Sequence, residues 1–209
     1  MLLHMDANDR FSILSPAEQP DPGYRRTQIV RAATALFWEK GYHGASMRDI
    51  GERVGMLKGS LYTHVSNKEE ILLEIVSTTF RRFMEALQPL LAESTTAEER
   101  LRLALYAHAT IVFDDAAAAA LFFHESRHLD GEPGAWVRDA QNRYRLIWEK
   151  LLQAGVDSGE FRSDLDVKAA AVVALSNGDW AERVPAGTDT DSQELADRFG
   201  TVLLEGCRA

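Results

Sequence analysis

Two stretches of this 209-residue chain combine residue types and spacings that could do chemistry. The first runs from Ser46 to Lys68. Within it Lys58, Gly59, Ser60, Tyr62, Thr63 and His64 fall on the faces of a short helical segment away from an edge formed by Leu57, Leu61 and Val65. Ammonium, hydroxyl and imidazole groups gathered on one surface suit hydrogen bonding to phosphate oxygens and base edges. The second is His124-Glu125-Ser126-Arg127-His128, an H-E-x-x-H string. On an unbroken helix it would put two imidazoles on one face beside a carboxylate, the arrangement that holds zinc and activates its water in metallopeptidases. The extended pattern wants a third histidine where Gly134 stands, although Glu149 lies at a distance some zinc peptidases use. Such short matches arise by chance, and a zinc site needs an open cleft in a different fold. The reading therefore assigns no metal, no cofactor and no catalytic residue, and keeps a zinc hydrolase as the rival. The plainer account of the second stretch is a helix whose Phe122, Phe123 and His128 line a pocket or pack on a neighbour.

The elements that must position the first set are legible. Ser46 precedes the apolar series Met47, Ile50 and Val54 with Asp49 three residues on, a hydroxyl N-cap for a short helix. Gly55 stands where that helix needs a left-handed residue to stop. A second short helix follows, and Asn67 caps a third. Helix, glycine turn and helix is the helix-turn-helix pattern, whose second helix enters the DNA major groove. Upstream, Ile29, Ala32, Ala33, Leu36 and Phe37 fall at helical spacing from Arg25 until Gly41, giving a helix that braces the pair from behind.

Charge is divided in the same way. The chain carries a net charge of −9, yet residues 24–68 hold eight Lys or Arg against three Asp or Glu. The basic module sits on an acidic body, the footprint of a protein that meets phosphate with one face. Residues 1–23 contain three of the six prolines and one arginine against four acids, which reads as a flexible arm. Hydrophobic content of 45% and charged content of 26% are those of an ordinary globular chain. No apolar run approaches the twenty or so residues of a membrane span. The single Cys207 cannot make an intrachain disulfide, which suits a reducing cytoplasm.

The remainder reads as helices throughout. Asn67 opens a long one, with Ile71, Leu72, Ile75, Phe80, Phe83, Met84, Leu87, Leu90 and Leu91 as its inner stripe, ending near Glu93. Others are expected over Thr96–Asp114, through the alanine-rich run to about Leu129, over Ala135–Asp157, over Asp166 to about Arg183, and over Ser192–Cys207. No strand-like alternation appears, so the fold class is all-α with about nine helices.

Two runs, Phe37-Trp38-Glu39-Lys40-Gly41-Tyr42-His43-Gly44-Ala45-Ser46 and Lys58-Gly59-Ser60-Leu61-Tyr62-Thr63-His64-Val65-Ser66-Asn67-Lys68-Glu69-Glu70, resemble the DNA-binding signature of TetR-type transcriptional regulators, contiguously over Arg26 to Leu72. One departure is Leu57, which stands where such regulators often have a small hydroxyl residue opening the recognition helix. The resemblance implies that Ser46, Tyr62, His64 and Lys68 contact the DNA backbone, that Arg48, Lys58 and Thr63 reach base edges, and that Gly59 and Ser60 belong to the same face. It also implies three segments: an arm at 1–23, a helix-turn-helix domain at 24–69, and a helical ligand-binding and dimerisation domain at 70–209.

In that C-terminal half, the runs Phe123 to Leu129 and Ser176 to Asp197 resemble a TetR subgroup that includes regulators of fatty-acid and sterol degradation, released from DNA by acyl-CoA-type thioesters. Phe113, Phe122, Phe123, Arg127, Tyr144, Trp148 and Trp180 are the candidate ligand-binding residues, and Arg143 and Arg145 add local positive charge. The last two helices, with Ala170, Ala171, Val173, Ala174, Phe199, Val202 and Leu203, resemble the pair that forms the family's dimer interface. The expected function is a cytoplasmic homodimeric repressor released from a palindromic operator by a small molecule. A regulator of drug efflux is the alternative.

Overall fold

A computed structural model describes residues 22–175 and 192–208. Trp180, the loop around Pro185 and nearly all of the N-terminal arm lie outside the described residues. Helix α1 (Pro22–Gly44) buries Ile29, Ala33, Leu36 and Phe37 and breaks at Gly41, whose φ of 73° is open to glycine at little cost. Helix α2 (Met47–Arg53) begins with a capping box: the Ser46 hydroxyl accepts from the Asp49 amide while the Asp49 carboxylate accepts from the Ser46 amide. Gly55 turns the chain with φ 67°. Helix α3 (Lys58–Leu61) is a single turn, prolonged by looser turns through Val65.

Helix α4 (Lys68–Leu87) is capped by the Asn67 side chain, which accepts from the Glu70 amide. Its α-geometry stops at Leu87 rather than near Glu93, and a 3-10 turn covers Gln88–Ala92. Pro89 explains the difference, because it has no N–H to continue the α-helical ladder. Helices α5 (Ala97–Asp114), α6 (Ala116–Phe123) and α7 (Gly131–Ser158) follow, with a 3-10 turn at Glu125–His128 between the last two. Thr96 and Asp115 cap α5 and α6, and Gly159 closes α7 at φ 79°. Helix α7 begins four residues before the expected Ala135, on the Asp130-Gly131 turn. Helices α8 (Val167–Leu175) and α9 (Ser192–Cys207) complete the described chain, α8 lying against α7 and α9 against α5. Among the described residues there is no strand, only an isolated bridge between Phe161 and Arg208.

One apolar core runs from Ile29 to Cys207 without interruption. Helix α4 makes this continuity, since it packs on α1 at one end and on α5, α6 and α7 along the rest. The expected inner edge of the recognition segment needs one correction: Leu61 and Val65 are buried, but Leu57 is 84% exposed. Leu57 is the N-cap residue, in extended geometry, so its side chain leaves the helix axis before the first turn forms.

Candidate nucleic-acid interface

The short helix α3 and the turn after it present Lys58, Gly59, Ser60, Tyr62 and Thr63 to solvent, with His64 half-buried at the edge. Lys58 makes no hydrogen bond or ion pair among the described residues, so its ammonium is available. Gly59 has a negative φ, and a Cβ built on it would meet nothing within 4 Å. The fold therefore does not require glycine there. A surface pressed against that backbone from outside would. The Thr63 hydroxyl donates to the Ser60 carbonyl at 2.7 Å, which leaves its lone pairs as acceptors. Leu57 supplies no side-chain cap to α3, so the first amides of this turn have no side-chain partner from it.

The other nominated residues are more committed. Ser46 has its hydroxyl and amide engaged in the α2 cap. Asp49 is held well below the usual carboxylate range by hydrogen bonds from Lys40 and Ser46. Arg48 is 86% exposed in its side chain and pairs with Glu52 one helical turn on, a contact that water competes with easily. Lys68 stands differently from the expectation of a free phosphate donor. Its ammonium donates to the Tyr42 carbonyl at 2.9 Å and the Ala45 carbonyl at 3.3 Å, and lies 4.4 Å from the centre of the Tyr42 ring. That ties the start of α4 to the chain entering α2.

A residue that the spacing did not single out fixes the recognition turn in place. Arg26 on α1 donates to Glu74 at 2.8 Å, to Glu70 at 2.7 Å, and to the His64 carbonyl at 2.5 Å. The Arg26 guanidinium, with the Ser66 amide, lowers the Glu70 carboxyl below its ordinary range. Only its position within a basic helix hinted at this, because its partners lie 38 to 48 residues away.

The H-E-x-x-H string turns out to be a joint between the two halves. Helix α6 ends at Phe123, so His124 and His128 are not stacked by a continuous α-helix. Instead the Glu125 carboxylate accepts from the Tyr42 amide at 2.9 Å. His128 Nδ1 lies 3.0 Å from His43 Nε2, and its ring stacks on Tyr42. Among the described residues, no group of three or more His, Cys, Asp or Glu side chains is placed to hold a metal ion.

In the helical body, Phe122, Tyr144 and Trp148 are fully buried, Phe113 and Phe123 are half-buried, and Arg127 is exposed. Tyr144 shares a 2.6 Å hydrogen bond with His108 Nδ1, while His108 Nε2 has no partner. Burial pushes the His108 imidazole down to about 4 and the Tyr144 phenol well above its usual range. None of these residues lines the described cleft, an open hollow of about 700 Å³ between α4 and α7. That cleft is walled by Phe80, Arg81, Met84, Glu85, Trp136 and Arg143. Of the arginines nominated from sequence, Arg143 alone faces it; Arg145 is paired with Glu149 and Asn142 on α7.

Two family models match the chain. Residues 29–75 match the model of the tetR family of bacterial regulatory proteins, and residues 94–207 match that of the tetracyclin repressor-like C-terminal domain. The transcriptional repressor KstR2 of Rhodococcus jostii is 34% identical over 189 residues, which cover 87% of this chain and 90% of that protein. The structure of the ketosteroid regulator KstR2 of Mycobacterium tuberculosis superposes with a TM-score of 0.83 at 24% identity, over 88% of this chain and 95% of that one. FadR of Bacillus subtilis, solved in complex with stearoyl-CoA, gives a TM-score of 0.67 at 26% identity, over 86% of this chain and 98% of that one.

Proposed function

This chain belongs to the tetR family of bacterial transcriptional regulators, and on that premise we propose that it represses transcription as a twofold dimer released from DNA by an acyl-CoA thioester. The observation that carries the DNA half is the exposed surface from Lys58 to Thr63, with an unpaired ammonium beside a glycine whose missing side chain the fold does not use. Lys58 and Thr63 are the base readers, with Arg48 alongside once it exchanges Glu52 for guanine. Ser60, Tyr62 and His64 hold the backbone. Ser46 offers its remaining lone pairs and contributes chiefly by capping α2.

Dimerisation is supported by apolar residues left outside the core on the last two helices, where Val172, Val173 and Val202 are 53%, 55% and 70% exposed. A second copy of the chain covers them. Twofold pairing sets two recognition turns about 34 Å apart and calls for a palindromic site. The thioester class is supported by the relative FadR of Bacillus subtilis, solved in complex with stearoyl-CoA. Such a repressor works at the chromosome, in the cytoplasm. Segments 1–23, 24–69 and 70–209 serve as arm, DNA module and ligand-binding body, the core running through the last two.

The test is a mobility shift of DNA from upstream of the gene, titrated with protein and then with acyl-CoA thioesters of several chain lengths. A specific shift reversed by one thioester is the expected outcome. A shift reversed only by hydrophobic cationic drugs transfers the protein to the efflux regulators. Absence of a shift on any palindromic fragment refutes the repressor itself.

A further inference from the structure

The cleft between α4 and α7 differs from the rest of the acidic body in both charge and surface. Phe80 forms its floor, and Trp136 meets that ring edge-on with centroids 5.8 Å apart. Trp136 is 36% exposed, so part of its ring is open to a group bound in the cleft. Arg143 lies over the Phe80 ring at 4.9 Å, its Nε turned to Asp139 at 3.2 Å. Arg81, on the facing helix, makes no ion pair or hydrogen bond among the described residues. Glu85 is the one acid in the wall. Two guanidiniums thus flank an aromatic floor on a chain whose net charge is −9.

Beneath the floor the core is closed: Phe80 stacks on Phe122 at 6.4 Å, and Phe122 lies 5.7 Å from Phe83, which in turn stacks on Tyr144 at 4.7 Å. A ligand with an anionic, planar head matches the open rim, two guanidiniums beside an aromatic ring. Inorganic phosphate would use the arginines but not Trp136, and a plain fatty acid would offer one charge to two guanidiniums.

We propose that this cleft binds the nucleotide head of the thioester, with Arg81 and Arg143 pairing its phosphates and Trp136 stacking on its adenine. This rests on the acyl-CoA reading above and adds to it the place where the ligand is held. Stacking of a base on an aromatic face and guanidinium pairing with phosphate are both well-matched geometries. A volume of about 700 Å³ accommodates a group of that size. The cleft draws most of its wall from α4, the helix that starts at Lys68 beside the recognition turn.

Calorimetric titration of the full-length dimer with decanoyl-CoA, free coenzyme A and decanoate tests the assignment. Arg81→Gln with Arg143→Gln should weaken decanoyl-CoA and free coenzyme A about a hundredfold, about tenfold for each charge-assisted pair lost. Decanoate binding should stay unchanged. Trp136→Leu should abolish the fluorescence quenching that free coenzyme A causes in the wild type. Arg145→Gln, already paired away from the cleft, is the control and should bind like wild type. Equal decanoyl-CoA affinity in wild type and double variant would overturn the cleft assignment and leave the thioester reading standing. No thioester binding to the wild type would overturn both. Both arginines are exposed, and thermal melting of each variant separates lost binding from lost fold.

Discussion

Two lysines near the recognition turn should fail in different ways when replaced. Lys58 is exposed and unpaired, whereas the Lys68 ammonium holds two carbonyls and the Tyr42 ring. Replacing Lys68 by methionine keeps the aliphatic stem and removes three interactions. Hydrogen bonds from a charged donor contribute roughly 1.5–3 kcal/mol each, and the 3.3 Å bond belongs at the weak end. The half-buried setting discounts these further, leaving a loss of about 2–3 kcal/mol. For a chain of this size that lowers Tm by about 5–10 °C. Operator affinity should drop by a similar factor at every salt concentration, since no phosphate contact is removed. Lys58→Ala should do the opposite. Its Tm stays at the wild-type value, while discrimination at the base it reads falls by roughly 1–3 kcal/mol for each half-site. Filter binding to the operator and to singly substituted operators across a salt series, beside thermal melts of both variants, gives these numbers. If Lys68→Met flattens the salt slope while its Tm is unchanged, the ammonium releases its carbonyls on DNA, and the structural role argued here is wrong.

Three further outcomes follow from other parts of the fold. His108 is pushed down to about 4 from an ordinary 6.5, so the unfolded chain takes up this proton first as pH falls; stability present above pH 6.5 is then lost between 6.5 and 4, by about 3 kcal/mol. Urea midpoints at pH 7 and 4.5 should show that loss in wild type, and a markedly smaller one in His108→Gln. Gly155→Ala would put a Cβ 2.1 Å from the Phe161 ring; overpacking should cost about 1–3 kcal/mol, visible in chemical denaturation. Glu125→Ala strips the acceptor from the buried Tyr42 amide. It should shrink the effect of effector on operator affinity, while a titration of either ligand alone changes by only a few fold. Full retention of the coupling would show that the joint carries none of it.

Local chemistry made much of this legible in the sequence. Ser46, Asn67 and Thr96 act as helix caps because a short oxygen-bearing side chain can reach the amide three residues on whatever surrounds it. Gly41, Gly55 and Gly159 mark breaks because a positive φ is a property of the residue itself. The exposed face from Lys58 to Thr63 followed from the same logic. What escaped depends on partners far along the chain. The run from Ala116 to Leu129 contains no proline, and no glycine to end it, yet the α-helix stops at Phe123. The Phe122 carbonyl accepts from the Ser126 hydroxyl at 2.7 Å and from Gln141 Nε2 at 2.8 Å, so the backbone tightens into a 3-10 turn there. Gln141 lies on the next helix. No pattern within α6 announces it. Aromatic content, likewise, does not say which rings fill the core, as Phe122 and Trp148 do, and which wall a cleft, as Phe80 and Trp136 do.

The same turn bears on how a ligand could reach the DNA face. A ligand shifts an equilibrium only through contacts that differ between two states. Among the described residues, α1 packs on α6, and two further connections join the body to the DNA module. One is α4, about 30 Å of continuous helix that carries the cleft wall near its far end and Lys68 at its near end. The other is the joint of Glu125 and His128 with Tyr42 and His43. Tyr42 belongs to both, because its carbonyl holds Lys68 and its amide holds Glu125. A displacement of α4 relative to the Glu125 turn therefore acts on Tyr42 from both sides, and that residue leads into Ser46 and α2. Tyr42 is bonded to both halves, so on the proposed mechanism a ligand-dependent shift of the body would be felt at the backbone after Gly41 before it is felt at the recognition turn.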